Sequence, residues 1–105
     1  MRVEILDEAE QDLVDGAHFY EAQGRGLGEY FLDTLFSDID SLQLNAGIHP
    51  VQFGNHRLLS KRFPYAVYYR VEGSVAKVWA VLDCRQNPER IVQRLGKKRG
   101  SKKRG

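Results

Sequence analysis

The sequence predicts an α+β domain in which a helical hairpin packs on a small, mainly antiparallel β-sheet. Between residues 9 and 42, apolar side chains recur every three to four positions in two separate segments. After residue 63, apolar and polar side chains instead alternate in two segments joined by a short turn. Together with an alternating N-terminal segment, these patterns predict the order β-α-α-β-β-β, with a possible short C-terminal helix.

The N-terminal segment predicts one strand and one helix. Residues 2–6 alternate polar and apolar side chains, which is typical of a short strand. A helix is expected from Asp7, whose carboxylate would cap its N-terminus, to about Gln23. The buried stripe of this helix is predicted to contain Ala9, Leu13, Ala17 and Tyr20. Three carboxylates off the stripe are expected to face solvent or a partner: Glu8, Asp12 and Asp15.

A second helix is predicted after the glycine-rich residues 24–28. Its apolar stripe is expected to contain Leu32, Leu35, Phe36, Ile39 and Leu42. Asn45 and Gly47 are stop signals, and Pro50 prevents the helix from continuing. Because only a short loop separates the two stripes, we expect an antiparallel helical hairpin.

The second half of the chain predicts the rest of the sheet. A loop at residues 46–54 leads into a strand around residues 57–62. Residues 63–71 alternate strictly, so Ala66, Tyr68 and Arg70 are expected on an exposed face opposite the buried one. In residues 75–82 an apolar face contains Ala76, Val78, Ala80 and Leu82, and the other face is mostly apolar, which favours a central strand. Asn87 and Pro88 can open a final helix through Leu95.

Charge is distributed unevenly along the 105 residues. Residues 1–54 contain 11 acids and two bases, a net −9, whereas residues 55–96 contain eight bases and three acids, a net +5. Residues 97–105 add six bases, and we expect them to form a disordered tail behind a single domain at residues 1–96. An acidic half joined to a basic half indicates a charged partner. The tail itself is expected either to bind a polyanion or to aid solubility.

Several classes of protein and site are disfavoured. No apolar run is long enough to span a membrane, and Met1 leads straight into a strand pattern without a signal peptide. With Cys84 as the single cysteine, no internal disulfide is possible, so we expect a cytoplasmic protein. His18, His49 and His56 lack metal-ligand spacing, and residues 24–28 do not match a nucleotide-binding loop. We therefore expect no metal and no cofactor.

The candidate site is a set of basic side chains with one tyrosine in the second half of the chain. Arginine can grip a phosphate or carboxylate with paired N–H groups, and a tyrosine can stack on a base. The alternative is a solubilising surface that pairs with the protein's own acidic helices. The basic set, as candidates for binding a target or partner, is Arg57, Lys61, Arg62, Tyr68, Arg70, Arg85 and Arg90.

Four segments carry a family resemblance over residues 2–95. They are Ala9-x-x-Asp12-Leu13, Tyr20-Glu21 to Gly26-Leu27-Gly28, Phe63-Pro64-Tyr65-x-x-Tyr68-Tyr69-x-Val71, and Val78-x-Ala80-Val81-Leu82-x-x-Arg85-x-x-Pro88. In order and spacing they resemble the RelE/ParE toxins of type II toxin–antitoxin, or plasmid stabilisation, modules. The resemblance implies a growth-inhibiting bacterial toxin and an antitoxin partner, encoded next to it, that covers its functional surface.

The resemblance leaves two modes of action open. RelE-like members cleave mRNA in the ribosome, and ParE-like members poison DNA gyrase without being nucleases. For a nuclease, the candidate catalytic residues are Arg57, Lys61, Tyr68, Arg70 and Arg85. The resemblance also places three apolar residues where active nucleases carry Lys, Arg or Tyr: Leu59, Ala66 and Ile91.

These departures favour a ParE-like toxin, whose helical hairpin and basic C-terminal portion would act as binding surfaces. This reading makes the protein a gyrase or topoisomerase inhibitor rather than an enzyme. The alternatives are a ribosome-dependent mRNA endoribonuclease and a degenerate, non-toxic member that survives as a binding partner. In each case an acidic or amphipathic antitoxin segment is expected over the surface from Arg57 to Arg70.

Overall fold

The computed structural model describes the backbone of residues 1–104 and the side chains of residues 1–96. The predicted disordered tail, residues 97–105, falls outside the described side chains and stays a prediction. In chain order the elements are β1 (Arg2–Ile5), α1 (Asp7–Gln23), α2 (Leu27–Asp40), α3 (Leu42–Asn45), β2 (Val51–Gln52), β3 (Asn55–Leu59), β4 (Tyr65–Glu72), β5 (Val75–Asp83) and α4 (Pro88–Arg104).

The five strands form one sheet in the order β1-β5-β4-β3-β2. β1 runs parallel to β5, and the other neighbouring strands are antiparallel. A parallel pair needs a long crossover connection, and between β1 and the later strands the α1–α2 hairpin crosses one face of the sheet. The predicted α+β fold is therefore confirmed, with β2 as an additional short edge strand inside the segment predicted to be a loop.

The apolar side chains that α2 buries are not all the ones that the sequence predicted. α2 begins at Leu27, and Phe31, Leu35 and Ile39 are buried at successive intervals of four residues. Phe36 was predicted in the stripe, but 40% of its surface is exposed. A helix turns by about 100° per residue, so the residue that follows Leu35 points away from the sheet.

Backbone groups, rather than the predicted side-chain cap, begin α1. The N-cap residue is Leu6, in an extended conformation, and the Glu10 N–H donates to the Leu6 carbonyl oxygen at 3.0 Å. The prediction of Asp7 as the capping residue is therefore wrong by one position. Asp7 is the first helical residue, where its negative charge faces the positive end of the helix dipole.

The turn between α1 and α2 is held by one carboxylate. Glu21 accepts hydrogen bonds from the N–H groups of Gly28, at 2.9 Å, and Gly26, at 3.1 Å. These bonds lower the pKa of Glu21. Gly26 has a φ of 87°, a left-handed conformation that side chains disfavour, so a glycine is required at this point of the turn.

A β-bulge in β5 changes which side chains share a face. Tyr68 lies opposite Ala80 while Tyr69 lies opposite Val78, so Trp79 is the extra residue. Before the bulge, Val78 packs with the hairpin core, and after it Ala80 packs with the opposite cluster. The prediction that Ala76, Val78, Ala80 and Leu82 share one face is therefore wrong beyond Trp79.

Helix α4 covers the face of the sheet opposite the hairpin. Asn87 caps it as predicted, because its Oδ1 accepts the Glu89 N–H at 2.8 Å. Ile91 and Leu95 are buried, and they share a cluster with side chains of β4 and β5: Ala66, Tyr68, Ala80 and Leu82. The sheet thus forms the middle of three layers, between the hairpin and α4.

Candidate functional site

The structure brings Arg57 together with Tyr68 and places the other members of the basic set elsewhere. Arg57 lies opposite Tyr68 in the β3–β4 register, and its Nε donates to the Tyr68 hydroxyl at 3.2 Å. Its Nη2 also lies 3.5 Å from the Cys84 Sγ. Arg57 is therefore a half-buried cation held in place by two polar side chains.

Tyr68 is not available to stack on a base. Only 1% of its surface is exposed, because Ile91 and Leu95 of α4 pack in the same cluster. The expectation that Tyr68 lies on an exposed sheet face is therefore wrong. The sequence pattern showed that Tyr68 lies opposite the main core, but not that a second apolar layer covers that side.

Lys61 and Arg62 lie in the loop between β3 and β4, next to the hairpin. The Arg62 Nη1 donates to the Tyr30 hydroxyl of α2 at 3.0 Å. Both cations line an open pocket of about 320 Å³ together with the carboxylates of Asp33 and Asp38. This part of the basic set therefore fits the alternative prediction, in which it faces the protein's own acidic helices.

Arg85 follows β5 and is engaged by a neighbouring carboxylate. Its Nη2 and Nε donate to the two oxygens of Asp83 at 2.8 and 3.0 Å. The paired bonds lower the pKa of Asp83 and raise the pKa of Arg85. Elsewhere, the Arg70 guanidinium lies 6.0 Å from the centre of the Trp79 ring, and Arg90 is exposed on α4.

The three apolar residues that depart from the nuclease pattern have different environments. Ala66 is fully buried on β4, and Ile91 is buried on α4 in the same cluster. Leu59, at the end of β3, is exposed. Two of the three positions are therefore part of the hydrophobic layer between the sheet and α4.

An ion-pair cluster missed by the sequence analysis joins α1, β5 and α4. Asp12 was expected to face solvent or a partner, but its side chain is only 12% exposed. Its carboxylate accepts two hydrogen bonds from Arg94, at 2.7 and 2.9 Å, and one from the Val81 N–H at 2.9 Å. Glu8 adds a second ion pair to Arg94 at 3.2 Å. The available signal was the position of Asp12 three residues after Ala9 of the buried stripe, because residues three apart lie on neighbouring positions of one helix face.

A second missed cluster surrounds the hydroxyl of Tyr69, which lies fully buried on β4. The hydroxyl accepts the Gly47 N–H at 2.9 Å and is hydrogen-bonded to the His49 Nδ1. The His56 ring stacks on the Tyr69 ring, with 4.9 Å between the ring centres. The His56 Nδ1 is hydrogen-bonded to the His49 carbonyl oxygen at 2.7 Å. Burial, together with the nearby His56, lowers the pKa of His49. The cluster fastens the segment that carries β2 to the sheet.

Among the residues that the structure describes, no three His, Cys, Asp or Glu side chains are grouped closely enough to hold a metal ion. None of the helices in this described part is both long and apolar enough to cross a membrane.

The hairpin on one face, the five-stranded sheet in the middle and the covering helix on the other face define a three-layered α+β fold. No protein-family profile matches the sequence, and no curated protein sequence matches it. Among solved structures, the chain is similar to one from the "Chromosomal ParDE TA system from P. aeruginosa". The TM-score is 0.63 at 19% identity, over 77% of this chain and 92% of that chain. The predicted RelE/ParE resemblance is confirmed at the level of the fold.

Proposed function

We propose that this protein is the toxin of a type II toxin–antitoxin module, that it is ParE-like, and that it inhibits DNA gyrase or a related topoisomerase. A cognate antitoxin, encoded next to it, neutralises it. The fold shared with a chain of a ParDE system supports the first part of the proposal. The choice of gyrase rather than mRNA as the target rests on one observation. Helix α4 covers the sheet face that contains Ala66 and Tyr68.

The covered face argues against mRNA cleavage. Such a site needs donors and proton-transfer groups that converge on one phosphate in an accessible cleft. Here Tyr68 is buried, Arg85 is paired with Asp83, and Lys61 lies near the hairpin. Because losing one transition-state donor costs about 10²–10³-fold in rate, a set dispersed in this way would be a poor catalyst.

The hairpin offers a surface for a protein target. Both of its helices carry an excess of carboxylates. Among these carboxylates, four large apolar side chains remain exposed: Val14, Phe19, Tyr30 and Phe36. Exposed apolar side chains rimmed by charged ones are typical of protein interaction surfaces. This surface supports inhibition by binding rather than by catalysis.

Expression in a bacterial host without the antitoxin tests the proposal. We expect growth arrest, relaxed plasmid DNA, a response to DNA breaks and intact mRNA, and we expect co-expression of the antitoxin to restore growth. New mRNA ends within ribosome-occupied codons, with normal supercoiling, would instead indicate the endoribonuclease. Harmless expression would indicate the non-toxic binding partner.

A further inference from the structure

An open groove of about 400 Å³ lies where α4 meets the end of β5. The amide groups of glutamine and the guanidinium groups of arginine both donate hydrogen bonds, and arginine keeps its positive charge at any physiological pH. Arg94 is held by Asp12, whereas Arg90 is exposed. The groove therefore offers an accessible cation flanked by neutral donors. Its lining consists of Leu82, Gln86, Arg90, Gln93 and Arg94.

The same helix carries a dense run of positive charge beyond the groove. Leu95 is buried against the sheet, but a Cβ at Gly96 would meet nothing within 4 Å, so α4 leaves the packed part of the protein at this point. Its backbone continues as a helix for eight further residues, to Arg104, which is about 12 Å. Residues 97–105 contain six bases and no acid. Without these six charges, the net charge of +2 would become −4.

Positive charge at this density is typical of a site for a polyanion. Each Lys or Arg that neutralises a phosphate releases condensed counterions, and this release drives the association. Like charges four residues apart also destabilise an isolated helix, and the sequence places Lys98 and Lys102 at this spacing. A polyanion that neutralises them would remove the repulsion. The rest of the chain, with its net −4, repels the same polyanion, so the contact is expected to be confined to α4.

The composition of α4 favours duplex DNA over other polyanions. A membrane surface is bound by a helix with an apolar face, and residues 96–105 contain no apolar side chain. Single-stranded nucleic acid is bound by aromatic side chains that stack on its bases, and residues 88–105 contain none. The major groove of double-stranded RNA is too narrow for side chains to read, whereas that of B-form DNA is about 12 Å wide and admits a helix.

We propose that α4 binds the phosphate backbone of duplex DNA through Arg90 and Gln93 of the groove and through the bases at residues 97–104. Because phosphate contacts carry no sequence information, the binding is expected to be independent of DNA sequence. It would place the protein on the molecule on which a topoisomerase acts. The site is argued from α4 alone, so it holds or fails independently of the proposed function.

The test measures binding of the full chain to a labelled duplex of about 20 base pairs, two helical turns, by fluorescence anisotropy at several salt concentrations. With six bases at residues 97–104, the logarithm of the association constant should fall against the logarithm of salt concentration with a slope of about −5. Lys102→Gln combined with Lys103→Gln should weaken binding by at least about tenfold and make the slope shallower by about 2. Arg90→Gln should make it shallower by about 1.

Matched controls remove the same charge from the acidic half of the chain. Arg2 and Arg25 are both exposed, the first on β1 and the second in the turn between α1 and α2. Arg2→Gln combined with Arg25→Gln has the net charge of the double variant in α4, and Arg25→Gln alone has that of Arg90→Gln. Both controls should bind DNA as the wild-type protein does. Thermal unfolding confirms that all variants fold.

Three results would overturn the inference. Equal weakening by the α4 variants and by their controls would show that net charge, rather than α4, governs binding. A slope of about −1 or shallower would show that too few phosphates are neutralised. Tighter binding to single-stranded DNA, to RNA or to vesicles of phosphatidylglycerol than to the duplex would assign the helix to another polyanion. DNA binding by a protein that leaves gyrase unaffected would instead overturn the proposed function and leave this inference intact.

Discussion

At the residue scale, the contact between Gly16 and Phe31 sets how closely α1 and α2 approach. A Cβ built on Gly16 would lie 2.5 Å from the Phe31 Cζ, well inside contact distance. The Phe31 ring cannot easily move, because it is fully buried and packs against other aromatic rings at 4.9–5.3 Å. Those rings belong to Tyr20, Phe63 and Tyr65.

We therefore expect Gly16→Ala to destabilise the protein. Overpacking costs about 1–3 kcal/mol, and the better helix propensity of alanine returns about 0.5–1 kcal/mol. Gly96→Ala in α4 is the matched control, because a Cβ there meets nothing within 4 Å, and it should be neutral or slightly stabilising. Urea unfolding measures both free energies. A Gly16→Ala variant as stable as the control would show that the Phe31 ring yields freely.

The Asp12–Arg94 pair gives a second prediction at this scale. Asp12→Ala leaves the Val81 N–H and the partly buried Arg94 without the carboxylate that both contact. We expect a loss of about 1–3 kcal/mol of unfolding free energy, as for an unsatisfied buried polar group. Asp15→Ala removes only an exposed bond to Gln11 and should change stability by less than about 0.5 kcal/mol. Equal effects of the two variants in urea unfolding would contradict the structural role of Asp12.

At the element scale, the hydrogen bond between neutral His49 and the Tyr69 hydroxyl holds the segment that carries β2 against the sheet. The Tyr69 hydroxyl is hydrogen-bonded to this imidazole, His56 lies beside it, and Arg57 lines the same pocket at the edge of the sheet. Burial and His56 lower the pKa of His49 below the 6.5 of the unfolded chain. The folded state therefore binds fewer protons, so this stabilisation is complete above pH 6.5 and is lost as the pH falls through the folded pKa.

We accordingly expect the wild-type protein to lose more stability between pH 7.5 and 5.5 than His49→Gln, which cannot titrate. His18→Gln, on the exposed side of α1, should keep the wild-type pH dependence. Chemical unfolding at both pH values measures the difference. The same pH dependence in all three proteins would exclude His49 as its source.

The elements also show what sequence periodicity can and cannot predict. The long stripes of α1 and α2 and the alternation of β4 predicted those elements, because their apolar spacing directly reflects helix and strand geometry. The bulge at Trp79 could not be predicted, because the apolar alternation of β5 continues through it in the sequence. The packing of α4 on the sheet could not be predicted either, because Ile91 and Leu95 form only a short apolar stripe. Residue types indicated the members of the basic set, but tertiary packing decides which of them meet.

At the scale of the whole molecule, part of the charge asymmetry is satisfied within the fold. Arg94 from the basic half pairs with Glu8 and Asp12 from the acidic half. Arg62 of the basic half lines a pocket with Asp33 and Asp38. Arg57 lies apart from these contacts, in a pocket at the edge of the sheet that His49 also lines. The charge left for partners therefore includes the carboxylates of the hairpin, Arg57 at the sheet edge and Arg90, which is exposed on α4.

The supercoiling activity of purified DNA gyrase, measured with and without this protein, tests the central claim most directly. We expect the protein to block supercoiling or to trap cleaved DNA, and we expect addition of the antitoxin to restore activity. In a parallel translation reaction, mRNA should remain intact. Unchanged gyrase activity, together with new mRNA 5′ ends within ribosome-occupied codons, would contradict the account and identify a RelE-like nuclease.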